Sequence, residues 1–435
     1  MKTIKLKSKI YLLLFGIIFL SFYTQAQEKK DSFEKSFSIN STGDLTFSCY
    51  DTDLKVNTWA KNEVKLSGEI IIKGGEDDDQ KILLDLFKNP EIIQGTNSLN
   101  IKTNLSKSTT QIGPFKRTTL VNGKTINIDK YTIKYTLWIP ESIAFNLKSK
   151  YNKIEIATLK GKIDFDLYDA DITMASFGDD AKLTMKYSNA SIGNGGDAIL
   201  NIYDSDIEAL EMKNVEITSK YSEIIIGSAN TLDLNSYDDD IIIQNINSLK
   251  SEAKYSDYRI KGDMSNCIIN FYDSDIEAIN IGTLVFSGKY SGIKAGNVNQ
   301  FVVKSIYDSD VKLGDVGEFS CDESKYDYFV FGGIKKLIKM PNTYDSDLTI
   351  SKVYPSFALF EGNFKYCSVI MPLDATINFS LEFETTYGEV KFPRERFSKK
   401  ITSIKENSKY QFAGATSETP TCDIKFGAYD SNLVF

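Results

Sequence analysis

The sequence predicts an all-β chain: a β-solenoid, single-stranded and β-helix-like, of ~17–18-residue coils with one short helix near the N-terminus. Three observations predict it. Fourteen tyrosines recur at gaps of 16–22 residues: Tyr151, Tyr168, Tyr187, Tyr203, Tyr221, Tyr237, Tyr255, Tyr272, Tyr290, Tyr307, Tyr326, Tyr344, Tyr366 and Tyr387. The residues between them are rich in Ile, Val, Tyr and Thr and often alternate at period two, which suits strands and disfavours helical repeats. The tyrosines also occupy two settings in turn, Lys-Tyr-Ser and Tyr-Asp-Ser-Asp, so the repeat is a two-coil unit of ~35 residues. Each coil of such a stack touches only its neighbours, so a long chain needs no single large core.

The elements follow in order. Residues 1–26 read as a signal peptide: Lys2, Lys5, Lys7 and Lys9, an apolar run from Ile10 to Tyr23, then Thr24-Gln25-Ala26. Residues 27–140 read as β-rich, with alternation in Phe37-Ser38-Ile39, Leu45-Thr46-Phe47 and Val64-Lys65-Leu66. A capping helix is expected over 76–88. Acids at Glu76, Asp77, Asp78 and Asp79 suit its N-terminus, Ile82, Leu83, Leu86 and Phe87 form its apolar face, and Pro90 stops it. Ser106 to Lys124 reads as a long polar loop.

Residues 141–370 form the regular Tyr-repeat solenoid, opening with alternating Ile143, Phe145 and Leu147. Residues 371–435 repeat that opening at Ile377, Phe379 and Leu381 and are expected to continue the solenoid, with Tyr387 as its last even coil. The motif also occurs outside the block, at Tyr50-Asp51-Thr52-Asp53 and Tyr429-Asp430-Ser431-Asn432. Gly227, Asn245, Gly282, Gly296 and Gly314 are read as corners requiring positive φ. The rival geometry is a stack of antiparallel hairpins with Tyr-Asp-Ser-Asp as the turn.

The net charge of −8 becomes −12 once the four leader lysines are removed, which argues against nucleic acid and anionic membranes as partners. No second long apolar stretch follows the leader, so no transmembrane span is expected in the mature chain. Five scattered cysteines, without CxxC spacing, are read as buried free thiols. The absence of histidine removes the commonest general base and metal ligand.

Alternation also has an electrostatic reading. Aspartates in every second coil stack at ~9.6 Å rather than ~4.8 Å, which halves their repulsion from ~0.9 to ~0.4 kcal/mol in water. Intervening lysines such as Lys220 and Lys254 would offset the acidic column. Changing both to aspartate is therefore expected to destabilise the stack.

The candidate binding face is Tyr203, Asp204, Asp206, Tyr237, Asp238, Asp240, Tyr272, Asp273, Asp275, Tyr307, Asp308 and Asp310. Phase within the strands reads odd tyrosines such as Tyr221 as buried and even ones as exposed, with a one-residue shift between coils. Aspartates two apart could hold calcium, and carboxylate pairs can hydrolyse glycosides. The pair recurs along the chain, whereas an active site occurs once, so no catalytic residue, cofactor or metal ligand is assigned.

At Thr58-Trp59-Ala60-Lys61-Asn62-Glu63-Val64, Trp138-Ile139-Pro140, Tyr151-Asn152-Lys153-Ile154 and Tyr387-Gly388-Glu389-Val390, the chain resembles the putative-adhesin β-strand-repeat family of bacterial envelope proteins. The resemblance spans most of the mature chain and implies a β-solenoid without catalytic residues. The expectation is a secreted, non-enzymatic, adhesin-like rod for interaction or scaffolding. It would lie in the periplasm, at the outer membrane or outside the cell, and its partner would be a protein or polysaccharide of the envelope or host surface. The alternative is a carbohydrate-active or calcium-binding β-helix.

Overall fold

The computed structural model describes residues 28–112 and 115–435; the leader expected at 1–26 lies outside the described residues. Over the described residues the chain is nearly all β and forms a β-solenoid of about 13 turns, spaced about 18 residues apart, with one α-helix. It divides into two compact units, one ending at Ala157 and the other running from Thr158 to Phe435.

In the first unit, strands β1 (Lys29–Ser38), β2 (Asp44–Tyr50), β3 (Asp53–Trp59) and β4 (Glu63–Lys73) precede helix α1 (Asp77–Lys88). Asp77, Asp78 and Asp79 fill the first turn of α1, and Leu83, Leu84 and Phe87 are buried. Phe87 meets Phe33 edge-to-face at 4.9 Å and stacks on Tyr135 at 6.1 Å, so the helix closes an aromatic end of the core. Next come β5 (Glu91–Gln94) and β6 (Ser98–Lys102), then β7 (Ser106–Ile112), β8 (Phe115–Leu120) and β9 (Thr125–Ile126). The stretch read as a loop is thus a small antiparallel sheet. It carries Ser and Thr where a buried strand would carry aliphatics, so it shows no hydrophobic period; the Thr109 and Thr118 hydroxyls pair across it at 3.2 Å.

The unit ends with β10 (Lys130–Pro140), β11 (Ala144–Lys150) and β12 (Lys153–Ile156). β10 runs parallel to β3 and antiparallel to β4. β2 and β3 pair in register with β11 and β12, so the coil around Tyr50 stacks on the coil around Tyr151, one hundred residues away in sequence.

The second unit is built from parallel coils. Each has a short strand, a corner and a second strand, so the coils stack into two parallel sheets. One sheet holds Asp206, Glu223, Asp240 and Asp257 at the heads of its strands; the other ends its strands on Lys220, Tyr237, Lys254 and Tyr272. Inward residues from both fill the core, among them Ile224, Ile226, Leu232, Leu234, Ile241 and Ile243. The hairpin-stack geometry is excluded by this parallel pairing.

The corner glycines are not at positive φ; among described residues only Gly74, Gly75 and Gly123 are. A Cβ on Gly227 would lie 2.3 Å from the carbonyl oxygen of Leu210, and one on Gly296 would lie 2.2 Å from that of Ile279. Close approach of the coil beneath, not backbone handedness, requires glycine there.

The C-terminal segment continues the solenoid out of chain order. Strand Cys422–Tyr429 lies between Leu359–Lys365 and Phe379–Thr386, parallel to both. Lys409–Ala415 then adds antiparallel to Phe379–Thr386, and Lys399–Glu406 antiparallel to Lys409–Ala415. Phe383, Phe392, Phe397 and Phe412 cluster at this end, with centroids 4.6–5.8 Å apart. All five cysteines are buried free thiols.

Candidate functional site: a tyrosine ladder

Coils of the two settings share one turn. In Lys-Tyr-Ser coils the lysine ends the strand and the tyrosine takes the left-handed position, with φ of 54° at Tyr187, 58° at Tyr221, 60° at Tyr255 and 57° at Tyr290. In Tyr-Asp-Ser-Asp coils the tyrosine ends the strand and the aspartate is left-handed, with φ of 48° at Asp204, 57° at Asp238, 50° at Asp273 and 49° at Asp308. Lys186, Tyr203, Lys220, Tyr237, Lys254, Tyr272, Lys289 and Tyr307 therefore form one in-register column.

The residue after the left-handed position is a buried serine in most coils, and it explains why both motifs contain one. Its hydroxyl donates to the carbonyl two residues back, as from Ser205 to Tyr203 (2.8 Å) and from Ser222 to Lys220 (2.9 Å). It also accepts the backbone N–H of its counterpart one coil earlier. Ser188 N–H donates to Ser205 Oγ (2.9 Å), Ser205 N–H to Ser222 Oγ (3.2 Å), and Ser256 N–H to Ser274 Oγ (3.0 Å). Each hydroxyl closes its own turn and staples the one before it, and burial makes the loss of either partner costly.

Two rungs carry acids instead. Asp239 accepts from Ser222 N–H, Ser219 Oγ, Ser236 Oγ and Tyr237 N–H. Asp327 accepts from Ser309 N–H (3.1 Å), Ser324 Oγ (2.7 Å) and Lys325 N–H (2.7 Å). Burial raises both carboxyls above the usual range, that of Asp327 to about 6, even though these hydrogen bonds pull the other way.

Above this buried column the tyrosines form a continuous ladder. From Tyr168 to Tyr366, each ring meets the next edge-to-face, with centroids 5.4–5.9 Å apart and planes at 80–89°. The ladder ends Tyr366–Tyr429–Tyr387, both steps 5.7 Å. Within the first unit, Tyr50 and Tyr151 make the same contact at 5.1 Å.

Tyr387 is left-handed, with φ 61°, and so belongs to the odd class rather than the even one; Tyr429, with Asp430 at φ 46°, is the even rung between it and Tyr366. The odd tyrosines are not buried either. Tyr187 is 47% exposed, Tyr221 46% and Tyr255 45%, against 38% for Tyr203 and Tyr272. The left-handed residue breaks the strand's alternation and swings the odd ring outward beside the even ones. Partial desolvation by the packed rings, followed by the adjacent phenols, raises the hydroxyl pKa of Tyr187, Tyr221, Tyr255 and Tyr290.

The twelve residues singled out in the sequence do not form one patch. Tyr203, Tyr237, Tyr272 and Tyr307 lie on the ladder, with Asp204, Asp238, Asp273 and Asp308 beside them on its turn side. Asp206, Asp240, Asp275 and Asp310 begin the next strand, past the corner. Two of these close the following coil: Asp206 Oδ1 accepts Glu223 N–H (3.1 Å) and Asp275 Oδ1 accepts Gly292 N–H (2.6 Å).

Alternation does not spare these second aspartates. Glu223, Asp240, Asp257 and Asp275 occupy successive coils in register, and burial followed by the charges of Asp275 and Asp240 raises the carboxyl of Asp257. Among the described residues no group of three or more Cys, Asp or Glu is placed to hold a metal ion.

Lys220, Lys289, Lys325 and Lys365 lie over tyrosine rings and make no ion pair among the described residues. Lys220 Nζ lies 5.5 Å from the Tyr237 centroid, Lys325 Nζ 4.9 Å from Tyr326, and Lys365 Nζ 5.2 Å from Tyr366. Sequence reasoning missed the odd tyrosines and these lysines as part of one face. The signal was present: aligning coils on the serine, not the tyrosine, sets Ser222 against Ser205 and puts Lys220 in register with Tyr203.

No protein-family model matches the chain, and no curated protein matches it. Among solved structures, the chain is similar to a putative cell adhesion protein from Clostridium sporogenes: 10% identity over 93% of this chain and 98% of that one, with a TM-score of 0.17.

Proposed function

We propose that this is an exported, non-enzymatic envelope protein whose tyrosine ladder is a binding face for adhesin-like interaction or scaffolding. The observation that carries the reading is the placement of half-exposed tyrosines at left-handed positions. A left-handed L-residue other than glycine costs roughly 1–2 kcal/mol. One edge-to-face pair contributes roughly 0.5–1.5 kcal/mol beyond burial. Each left-handed tyrosine inside the ladder makes two such contacts, one with each flanking ring, roughly 1–3 kcal/mol together, so ring packing offsets the strain with little to spare. The same rings are left half-exposed in a continuous row, an arrangement suited to recognition.

The recurrence of its carboxylate pairs favours a binder over an enzyme, whose site would be single. Export rests on the leader-like start, and no helix among the described residues is long and apolar enough to cross a membrane. The test is a screen of glycans and envelope proteins with the wild type and with Tyr221→Asn/Tyr255→Asn/Tyr290→Asn. Retention that falls at least tenfold in the folded triple variant supports the reading; equal retention of every ligand by both proteins overturns it. Protease shaving of intact cells tests the location.

A further inference from the structure

We infer that the face beside the ladder binds a linear acidic polysaccharide along the coil stack, one disaccharide to each two-coil unit; this rests on the binding-face reading above. Three features of the second unit converge there.

The first is a row of cations without acidic partners. Several lysines elsewhere on this unit pair with acids of nearby coils, among them Lys213 with Asp179 (2.9 Å), Lys250 with Asp233 (2.7 Å), Lys294 with Glu277 (2.7 Å) and Lys336 with Glu318 (3.0 Å). Lys220, Lys254, Lys289, Lys325 and Lys365 make no ion pair among the described residues, and most lie over tyrosine rings instead. In a chain of net charge −8, neighbouring carboxylates are plentiful, so an unpaired cationic row marks charge complementarity to something outside the chain.

The second is the adjoining column. Two residues before the Lys/Tyr column, and in register, stand Thr184, Asn201, Thr218, Asn235, Glu252, Asn270 and Ser287. Thr218, Asn235 and Asn270 are exposed. Asparagines on other faces bond along the stack, as Asn214 does to Asp197 (2.9 Å) and Asn280 to Asp263 (2.9 Å). Neutral donors and acceptors beside aromatic rings and cations are the groups that hold hydroxyls, pyranose faces and carboxylates. The two columns line an open groove of about 630 Å³ around Tyr237, Lys254 and Tyr272. A second groove of about 560 Å³ lies around Lys325, Tyr344 and Lys365.

The third is spacing. Like groups recur every second coil, at ~9.6 Å. An extended peptide repeats its same-face side chains every ~6.8 Å and drifts out of register. An extended pyranose chain advances by about one coil per sugar, so a polymer that turns one carboxylate per disaccharide toward this face, from every second sugar or as alternate members of a uronate chain, stays in step with the lysines. Glu252 beside Lys254 and Glu323 beside Lys325 are acidic members of the adjoining column, Glu384 also lines the second groove, and all three oppose the ligand locally.

The experiment titrates the full chain with hyaluronan, alginate and polygalacturonate. Polyglutamate is the control for charge without sugar rings, and a neutral β-linked glucan the control for rings without charge. Expected are binding of at least one polyuronide, controls at least tenfold weaker, affinity that rises with chain length and falls with salt, a tenfold loss in Lys220→Gln/Lys254→Gln/Lys289→Gln, and a gain in Glu252→Gln. Failure of all three polyuronides, polyglutamate binding as tightly as they do, or an unchanged lysine variant overturns the inference. If the polyuronides fail while a tyrosine-dependent ligand emerges from the wider screen, only this inference falls; if nothing depends on the tyrosines, the binding-face reading falls too.

Discussion

Replacing Asp327 with serine should stabilise the protein at neutral pH and lose that advantage in acid. Asp327 is 3% exposed and stands where Ser309 and Ser346 stand in the flanking coils. Its carboxyl titrates near 6 in the fold, against a usual 3.8. A folded-state pKa above the unfolded one means that the fold prefers the protonated acid. The stability from this group is fully present below about 3.8 and is lost as pH rises through about 6. Between pH 4.5 and 7.5 that loss amounts to about 2 kcal/mol in the wild type.

Serine does not titrate, so the variant escapes the loss. It can accept Ser309 N–H and donate to the Lys325 carbonyl, as serines do at the other rungs. Ser324 Oγ keeps Ser346 Oγ at 2.9 Å, whereas Lys325 N–H loses its acceptor, at a cost of about 1 kcal/mol. Urea unfolding of both proteins at pH 4.5, 6.0 and 7.5 should show the variant gaining about 2 kcal/mol relative to wild type across the range. A difference that does not change with pH would refute the claim that Asp327 is a strained ionised rung.

Three further outcomes are expected. Tyr255→Ala keeps the left-handed strain and loses ring contacts at 5.5 Å to Tyr237 and 5.8 Å to Tyr272, whereas Tyr255→Asn relieves the strain. The asparagine variant should therefore be the more stable by roughly 1 kcal/mol in urea, and the reverse order would contradict the backbone account. Lys220→Asp with Lys254→Asp should cost under about 1 kcal/mol in the same assay, not the marked loss expected from a stacked acid column, because these exposed lysines hold no ion pair. Phe426→Ala should cost about 3–5 kcal/mol: Phe426 is 4% exposed, and its ring stacks on Phe383 at 5.2 Å within the inserted C-terminal strand. A midpoint within error of wild type would mean that the inserted strand is dispensable.

Most of the solenoid was legible because its period is carried by residues that shape the turn. Serine, aspartate and tyrosine recur where one hydroxyl must staple each coil and one residue must turn left-handed. Helix α1 was legible from its acidic first turn and its apolar spacing. The β7–β8 hairpin was not: residues 107–111 of β7 are exposed, and the alternation on β8 is short and carried partly by a threonine, Thr118, beside Leu120.

Order at the C-terminus was hidden for a different reason. Local sequence specifies a coil but not its neighbour, and the strand 422–429 reaches its place by tertiary pairing. One trace did survive: Tyr387 breaks the alternation after Tyr366, and Tyr429 carries the missing Tyr-Asp-Ser setting. The odd tyrosines were misread as buried because strand phase was carried through the left-handed residue, which resets it.

The two-coil repeat follows from ring geometry more directly than from charge. Rings attached at one position in coils ~4.8 Å apart would lie parallel, face over face, an arrangement that aromatic quadrupoles disfavour. Attaching alternate rings one residue apart, first at a strand end and then at a left-handed residue, turns each ring by 80–89° relative to the next and sets centroids 5.4–5.9 Å apart. Edge then meets face along the whole row. Aspartate enters even coils because the left-handed position, vacated there by tyrosine, accepts it cheaply. Charge could not have set the period, since Glu223, Asp240, Asp257 and Asp275 stack in every coil. Once tyrosine alternates, the strand-end position in odd coils is free, and lysine fills it. The ring geometry that orders the ladder thus also spaces an unpaired cation at every second coil.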